Sequence, residues 1–305
     1  MELITNLILL FLLLLLLEHL WLYSLRWIEI ANSDSVQIPR RALEASKRVS
    51  RWGPFLAEYL YHLVALTLSA ADAVRHLVAR VFRIPLSPLL QPLEGEDPYT
   101  PVVLVPGYMM GSFTLYPLKW WLERQGWRPA VALSLAPPWG DLMLLAEQLK
   151  EKVEEVYEAC GRTKVILIGH SMGGLIARYY VSRLGGSQRV EKVISLGTPH
   201  HGTKLWTFAL GPCALQMRPG SPFLHSLETD PANTSAVPVV SLYSDFDEIV
   251  IPAESSHLEG DHSLNVPLEA LGHIAYLYNR RVYRKIQEVL EPAPASTRMD
   301  PWRLD

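Results

Sequence analysis

The segment from Lys164 to Leu175 constrains the fold of this chain more than any other. It begins with a β-branched, apolar run, continues through Gly169-His170-Ser171-Met172-Gly173, and ends in residues that favour a helix. Glycines two residues before and two residues after Ser171 let a strand and a helix pack closely, where larger side chains would collide. The pattern predicts a strand, a sharp turn that holds Ser171 in a strained conformation, and a helix that begins at the next residue.

From Pro101 onward, short apolar runs alternate with helical patterns. The apolar runs are nearly continuous, which is typical of strands that are covered on both faces. The alternation predicts an α/β fold, with a mostly parallel sheet and helices on both faces. The predicted strands are Val102–Val105, Ala130–Leu135, Val165–Ile168, Val193–Leu196 and Val239–Leu242, and the predicted helices are Leu115–Arg124, Leu142–Ala159, Met172–Leu184 and Ile274–Leu290.

A serine in such a turn becomes an effective nucleophile when an imidazole takes its proton and a carboxylate orients that imidazole. In this kind of fold the carboxylate and then the histidine follow the serine along the chain. The strand Val239–Leu242 runs into a loop with three carboxylates, of which Asp247 is preferred because it lies just before the apolar pair Ile249-Val250. Asp245 is the alternative. A solvated loop carboxylate is the non-functional interpretation of either residue.

His273 is the predicted base, because it lies between a loop glycine and the last helical pattern. His257 and His262 lie in a polar stretch that is typical of a solvated loop. His170 lies inside the turn itself, and His200-His201 are expected to shape the pocket.

Two backbone N–H groups are expected to hold the negative charge that develops on a carbonyl oxygen beside Ser171. One belongs to Met172, the first residue of the predicted helix. The second is assigned to Tyr108, because glycines in the loop Pro106–Gly111 let backbone N–H groups point toward the serine. The alternative is that Pro106-Gly107 only forms a turn as the chain leaves the strand.

The N-terminus is apolar enough to enter a membrane. An uninterrupted apolar run, Leu7–Leu17, lies within the helical pattern Leu3–Leu25, which is long enough for a hydrocarbon layer of about 30 Å. A secretory signal peptide is the alternative, but the first residues carry no Lys or Arg and no small-residue cleavage site follows the run. The pattern favours a retained anchor.

A second apolar stretch, Pro54–Phe82, contains Glu58 and His62. These ionisable residues favour an amphipathic helix, on the membrane or on the following domain, over a second span. The segment Arg26–Arg51 is rich in basic residues and is therefore expected in the cytoplasm. The following domain faces outward if the second stretch crosses the membrane, and faces the cytoplasm if it does not.

A linker rich in proline and acidic residues, Pro85–Pro98, divides the 305 residues into a membrane-associated helical region, residues 1–95, and a second domain, residues 96–305. Within the second domain, residues 204–233 are long and apolar for a connection, which predicts a lid over a pocket or a helix of the core. The net charge of −3 gives no argument for nucleic acid. Cys160 and Cys213 form no CxxC motif or Cys/His cluster for a metal, and their spacing leaves a disulfide open.

Together, several segments resemble bacterial triacylglycerol lipases and related esterases over roughly residues 100–290. The segments that carry the resemblance are Val103–Gly107, Val165–Gly174, Leu196–Thr203, Asp247–Val250 and Gly272-His273. The resemblance implies an α/β-hydrolase fold, an ester substrate and no organic cofactor. It also implies the functional residues, with Ser171, Asp247 and His273 as the triad and Tyr108 and Met172 as the oxyanion donors.

One position departs from that family, which usually has His-Gly where this chain has Pro106-Gly107. The donor at Tyr108 survives the change, while the hydrogen bonds that support the loop are in question.

The sequence predicts a membrane-anchored serine ester hydrolase, an esterase or lipase that forms an acyl-enzyme on Ser171 and acts on an ester or lipid. Two other functions fit the same pattern. One is transfer of the acyl group to an acceptor other than water, and the other is a non-catalytic, membrane-tethered interaction protein. The anchor and the resemblance to bacterial enzymes predict a place in the bacterial inner membrane.

Overall fold

A computed structural model describes residues 2–32, 52–82, 100–228 and 237–291. The linker at 85–98, most of the basic segment and the last part of the 204–233 stretch lie outside these ranges.

Six parallel strands form one sheet in the described part of the chain, in the order β2-β1-β3-β4-β5-β6. The strands are β1 (Val102–Val105), β2 (Ala130–Ala132), β3 (Val165–His170), β4 (Val190–Leu196), β5 (Val239–Tyr243) and β6 (Ser263–Pro267). The predicted parallel sheet is confirmed. Strand β6 was not predicted, because it is a half-buried edge strand of mixed polarity rather than an apolar run.

The helices are α1 (Glu2–Asn32), α2 (Trp52–Phe82), α3 (Ser112–Arg124), α4 (Leu142–Ala159), α5 (Met172–Arg183), α6 (Pro212–Gln216), α7 (Pro222–Glu228) and α8 (Arg280–Leu290). Alternate residues of β1 face opposite sides of the sheet. Val103 and Val105 pack in one core cluster with α4, α5 and α7, whereas Val102 and Leu104 pack in the other with α3 and α8. Helices therefore cover both faces, as predicted.

The last predicted helix, Ile274–Leu290, is wrong as one continuous element. Residues Ile274–Leu277 form a 3-10 turn, and α8 begins only at Arg280. Asn279 interrupts the pattern because its side chain accepts a hydrogen bond from the Arg281 N–H at 2.8 Å, which caps α8.

Helix α1 is the one described helix that is long and apolar enough to cross a membrane, over Leu3–Asn32. The mean hydropathy of its most apolar window is 2.4, and only 11% of that window is buried. Such low burial separates it from a core helix of a soluble domain, whereas an N-terminal signal sequence shares its length and composition.

Helix α2 lies on the sheet domain. Its Asp72 is buried, and Asp72 Oδ2 accepts hydrogen bonds from the Ser112 N–H at 3.1 Å and from Ser134 Oγ at 2.8 Å. A Cβ added to Gly111 would lie 1.8 Å from the same Asp72 oxygen. The start of α3 is therefore shaped to receive a carboxylate from α2.

The two N-terminal helices also contact each other. Tyr59 in α2 donates a hydrogen bond to the Leu12 carbonyl in α1 at 3.1 Å, and the His19 ring packs edge-on against Tyr59 at 5.5 Å. Because His19 is fully buried, this contact excludes solvent between the helices.

Candidate active site

Ser171 stands at the turn between β3 and α5. Its φ of 53° and ψ of −124° lie in a region that residues other than glycine rarely occupy. A Cβ added to Gly169 would lie 2.5 Å from the Gly174 nitrogen, and one added to Gly173 would lie 2.4 Å from the Val105 carbonyl oxygen. The strained serine and the need for both glycines are confirmed.

Asp247 and His273 form a buried, hydrogen-bonded pair. His273 Nδ1 donates to Asp247, at 3.0 Å from Oδ1 and 2.9 Å from Oδ2. Asp247 Oδ1 also accepts the N–H groups of Ile249 and Val250, each at 2.9 Å, which fixes the carboxylate in the loop after β5. This arrangement leaves Nε2 of His273 free to take a proton from a nucleophile.

Asp245, the alternative acid, takes another place. Its backbone carbonyl accepts two hydrogen bonds from the Arg26 guanidinium of α1, one of them at 2.8 Å from Nε. The pairing of His273 with Asp247 therefore distinguishes between the two aspartates that the sequence left open.

Ser171 and His273 line one cavity of about 330 Å³, and Tyr108 lines it as well. The lining is mostly apolar, and Asp247 lies behind His273 with 1% of its surface exposed. Ser171, Asp247 and His273 follow the carboxyl ends of the parallel strands β3, β5 and β6. This placement makes them the candidate nucleophile, acid and base for acyl transfer through a serine.

Asp247 stays ionised beside His273 although it is buried. Burial by itself raises the pKa of Asp247, but the charge and hydrogen bond of His273, with the N–H groups of Val250 and Ile249, outweigh burial and lower that pKa below its usual value. Asp247 is therefore the ionised partner that stabilises a protonated His273.

Two further carboxyl groups, which the sequence did not single out as functional, hold the backbone beside the base. Glu248 accepts the His273 N–H, at 3.2 Å from Oε2, and Glu58 of α2 accepts the Ala275 N–H at 3.0 Å and also the Ile274 N–H. A Cβ added to Gly272 would lie 2.4 Å from Glu58 Cδ. No local sequence pattern predicts the contact of Glu58 with backbone more than 200 residues away. The only hint in the sequence is that Glu58 is an ionisable residue within an apolar stretch.

Burial, followed by the charges of Glu58 and Asp247, raises the pKa of Glu248 well above its usual value. Burial also raises the pKa of Glu58, to about 7, against the lowering effect of the Ile274 N–H and of His273. Asp247 is thus the carboxylate of this group that ionises most readily.

The raised pKa of Glu58 predicts a specific pH dependence of stability. The folded protein binds this proton more tightly than the unfolded chain, so the stabilisation is complete below pH 4.5 and is lost as the pH rises to about 7. Glu58→Gln removes the ionisation. We expect its free energy of unfolding, relative to the wild type, to improve by up to about 3 kcal/mol between pH 4.5 and pH 8. Urea unfolding in detergent micelles measures the difference, and parallel pH curves for the two proteins would contradict it.

His170 supports the base from the other side. Its Nε2 donates to the His273 carbonyl at 3.0 Å, and burial, followed by the charge of His273, lowers its pKa to about 3. A neutral His170 therefore holds the backbone of His273, a role that the sequence did not suggest.

The expectation that His200-His201 shape the pocket is wrong for the described cavity. His200 is buried, with Arg178 donating to its Nδ1 at 3.2 Å and its Nε2 at 2.9 Å from Ser195 Oγ. His201 is exposed and pairs with Glu228 at 2.9 Å. Neither residue lines the cavity.

The predicted oxyanion donors, Met172 and Tyr108, belong to the residue after Ser171 and to a residue that lines the same cavity. Met172 is the first residue of α5, so its N–H has no acceptor within the helix. A Cβ added to Gly107 would lie 3.2 Å from Ser171 Cβ, which brings the loop that carries Tyr108 next to the nucleophile.

That loop is held without the usual histidine. The Met110 N–H donates to the Gly107 carbonyl at 3.2 Å, and the Met109 N–H donates to the Pro138 carbonyl at 3.1 Å. The Tyr108 hydroxyl accepts the Leu210 N–H at 2.8 Å, which ties the loop to the segment that follows β4.

Different parts of the 204–233 stretch lie in different surroundings. Leu205 and Phe208, in a 3-10 turn over Lys204–Phe208, line the cavity. Cys213 and Phe223, in α6 and α7, pack instead into the core. Among the described residues, no group of three or more His, Cys, Asp or Glu is arranged to hold a metal, and Cys160 and Cys213 are not joined by a disulfide.

Residues 142–270 match the family model described as a PGAP1-like alpha/beta domain. The matched range includes Ser171 and Asp247 and ends just before His273.

A curated protein and a solved structure are also similar to this chain. Over 111 residues, which are 36% of this chain and 29% of the relative, the chain is 35% identical to a triacylglycerol lipase from Pseudarthrobacter phenanthrenivorans. The crystal structure of Aspergillus fumigatus lipase B is similar with a TM-score of 0.59 at 24% identity, over 69% of this chain and 56% of that one. The described domain shares the α/β-hydrolase fold of that lipase.

A shorter match is to a different kind of protein. Over 54 residues, the chain is 39% identical to the GPI inositol-deacylase of Candida albicans (strain SC5314 / ATCC MYA-2876), covering 18% of this chain and 14% of that protein. The chain spans less than a third of the length of these curated relatives.

Proposed function

We propose that this protein is a membrane-anchored carboxylic-ester hydrolase that forms an acyl-enzyme on Ser171. The observation that carries the proposal is the pairing of His273 Nδ1 with buried Asp247 at 2.9 Å, on the same cavity as the strained Ser171. An imidazole that is held in one tautomer near a serine hydroxyl is what activates the serine.

In the proposed reaction, Ser171 Oγ bonds to the ester carbonyl carbon while its proton passes to His273 Nε2. The N–H groups of Tyr108 and Met172 hold the oxyanion. His273 then protonates the leaving alcohol, and an acyl group remains on Ser171. Water, deprotonated by His273, attacks the acyl group and releases the carboxylic acid, which returns Ser171 to its starting state.

A lipid-linked acyl ester is the substrate class that we infer. The lining of the cavity is mostly apolar, and the chain is similar to a triacylglycerol lipase and, over a short segment, to a protein named as an inositol deacylase. Transfer of the acyl group to an alcohol would use the same Ser171 intermediate. It differs only in which acceptor attacks that intermediate.

We further infer that α1 is retained as an anchor in the bacterial inner membrane and that residues 1–95 are the membrane-associated region of a catalytic domain at 96–305. Exposed apolar side chains along the first half of α1 support the anchor. The buried Asp72 and Glu58 of α2 support docking of this region onto the domain. Residues 204–233 would act as the lid in their first part.

The test is hydrolysis of p-nitrophenyl esters by the full chain in detergent, with Ser171→Ala beside the wild type. We expect kcat to fall at least about ten-thousandfold in the variant, because no other group accepts the acyl chain. Ser226→Ala, which removes a partly buried hydroxyl outside the site, is the matched control and should keep wild-type turnover. Acyl transfer would register as ester product when an alcohol is added. Equal turnover in Ser171→Ala and the wild type would refute the proposal.

A further inference from the structure

We propose that α1 and α2 form one wall of the acyl-binding site, so that residues of the N-terminal helices decide which acyl chains reach Ser171. The proposal rests on the ester hydrolysis proposed above and adds where the acyl chain lies.

The cavity over Ser171 lies between the catalytic residues and the two helices. Trp21 and Leu22 of α1 and Ala65 and Leu66 of α2 line it opposite the serine. Among the described residues, the rest of the lining comes from loops and 3-10 turns of the domain and from His170 and Ser171. Without α1 and α2, the described site would be an open groove.

Specific contacts hold α2 against the loop of the base. Glu58 lies under the residues that follow His273, and its carboxylate occupies the space that a side chain on Gly272 would need. One helical turn beyond Glu58, His62 lines the cavity, and the next turn brings Leu66 into it. The face of α2 that positions the base is therefore continuous with the face that lines the cavity.

Helix α1 is held from two other sides. Lys204 Nζ forms an ion pair with Glu29 at 2.8 Å, and the Trp21 ring packs edge-on against Phe208 at 4.8 Å. Arg26 donates to the Asp245 carbonyl, two residues before the catalytic acid. The wall thus contacts both the 204–208 turn and the acid loop, rather than lying loosely over the site.

The shape and chemistry of the cavity fit one unbranched acyl chain. A volume of about 330 Å³ is at the small end for ligand pockets, and the apolar lining offers few polar partners. Glu18 is exposed and also lines the cavity, so the opening lies beside α1. From there toward the N-terminus, α1 presents exposed apolar residues such as Leu14 and Leu17. An acyl chain dissolved in a bilayer would meet this surface before it meets the serine.

The test compares leucines on two faces of α2. Leu66 lines the cavity, whereas Leu60, also exposed, does not. We expect Leu66→Trp to lower kcat/KM for dodecanoyl and palmitoyl p-nitrophenyl esters about tenfold or more relative to its effect on acetyl and butanoyl esters. Leu60→Trp, the matched control, should keep the chain-length profile of the wild type.

A second variant covers the case in which tryptophan at position 66 prevents folding. Leu66→Ala enlarges the cavity and should move the preferred chain length upward. Unchanged chain-length profiles in Leu66→Ala and in any folded Leu66→Trp, or an equal change in Leu60→Trp, would overturn the proposal.

The outcomes also separate this proposal from the proposed hydrolysis. Suppose that acetyl and butanoyl esters are cleaved through Ser171 while the Leu66 variants keep the wild-type chain-length profile. The proposed hydrolysis is then supported, and the proposed acyl-binding wall of α1 and α2 is refuted. If the wild type cleaves none of the esters, the proposed hydrolysis fails first and the wall fails with it.

Discussion

Asp247→Asn is expected to lower kcat for ester hydrolysis by about ten-thousandfold in a protein that still folds. The carboxylate accepts the Nδ1–H of His273 at 2.9 Å, and this bond fixes the tautomer that leaves Nε2 unprotonated. An amide of the same shape offers a donor or a weaker acceptor at that position, so the imidazole presents the wrong nitrogen to Ser171 and its protonated form loses its counter-charge.

Asp245→Asn is the matched control, because Asp245 lies two residues away in the same loop and its described contact with Arg26 uses the backbone. We expect its kcat to stay within about threefold of the wild type, since His273 pairs with Asp247 and not with Asp245. Steady-state hydrolysis of a short p-nitrophenyl ester, with circular dichroism as a check on folding, measures both variants. A larger loss in Asp245→Asn than in Asp247→Asn would reverse the assignment of the acid.

Gly173→Ala is expected to destabilise the protein by about 3 kcal/mol or more, because the added Cβ would lie 2.4 Å from the Val105 carbonyl oxygen. A flexible side chain could move aside, but Val105 is in a central strand that is hydrogen-bonded to β3. The turn would have to open, which would also displace Ser171 from His273. The variant should therefore lose activity as well as stability.

Gly161→Ala separates this clash from the ordinary effect of replacing a glycine. Gly161 has a φ of +65° and no atom within 4 Å of an added Cβ, so the cost is that of the backbone conformation alone, about 1 kcal/mol. Urea unfolding in detergent measures both. If the two alanine variants lose the same stability, close packing of the turn against β1 is not what requires Gly173.

The parts of the fold that the sequence predicts well are those with a local physical cause. Continuous apolar runs predict buried parallel strands, and β1 and α4 have the predicted ends, Val102–Val105 and Leu142–Ala159. The polar edge strand β6 has no such pattern. The break at Asn279 depends on a single capping side chain inside an otherwise helical pattern.

In the candidate site, too, the features with a local sequence cause are predicted and the contacts between distant residues are not. The turn around Ser171 follows from residues adjacent in sequence, and the glycine clashes give its reason. Glu58 lies more than 200 residues before the backbone that it holds, and His170 supports His273 from 103 residues away. Neither contact is visible in local periodicity. The sequence treated residues 1–95 as separate from the site, whereas the contacts of Glu58 and Trp21 place α2 and α1 beside it.

Covalent labelling of Ser171 tests the central claim most directly. The full chain in detergent is incubated with a fluorophosphonate, digested, and mapped by mass spectrometry. We predict one adduct on the peptide that carries Ser171, formed at a rate that falls steeply in Asp247→Asn and His273→Ala and absent in Ser171→Ala. An unmodified Ser171 in folded wild-type protein, or an adduct on another serine, would contradict the account.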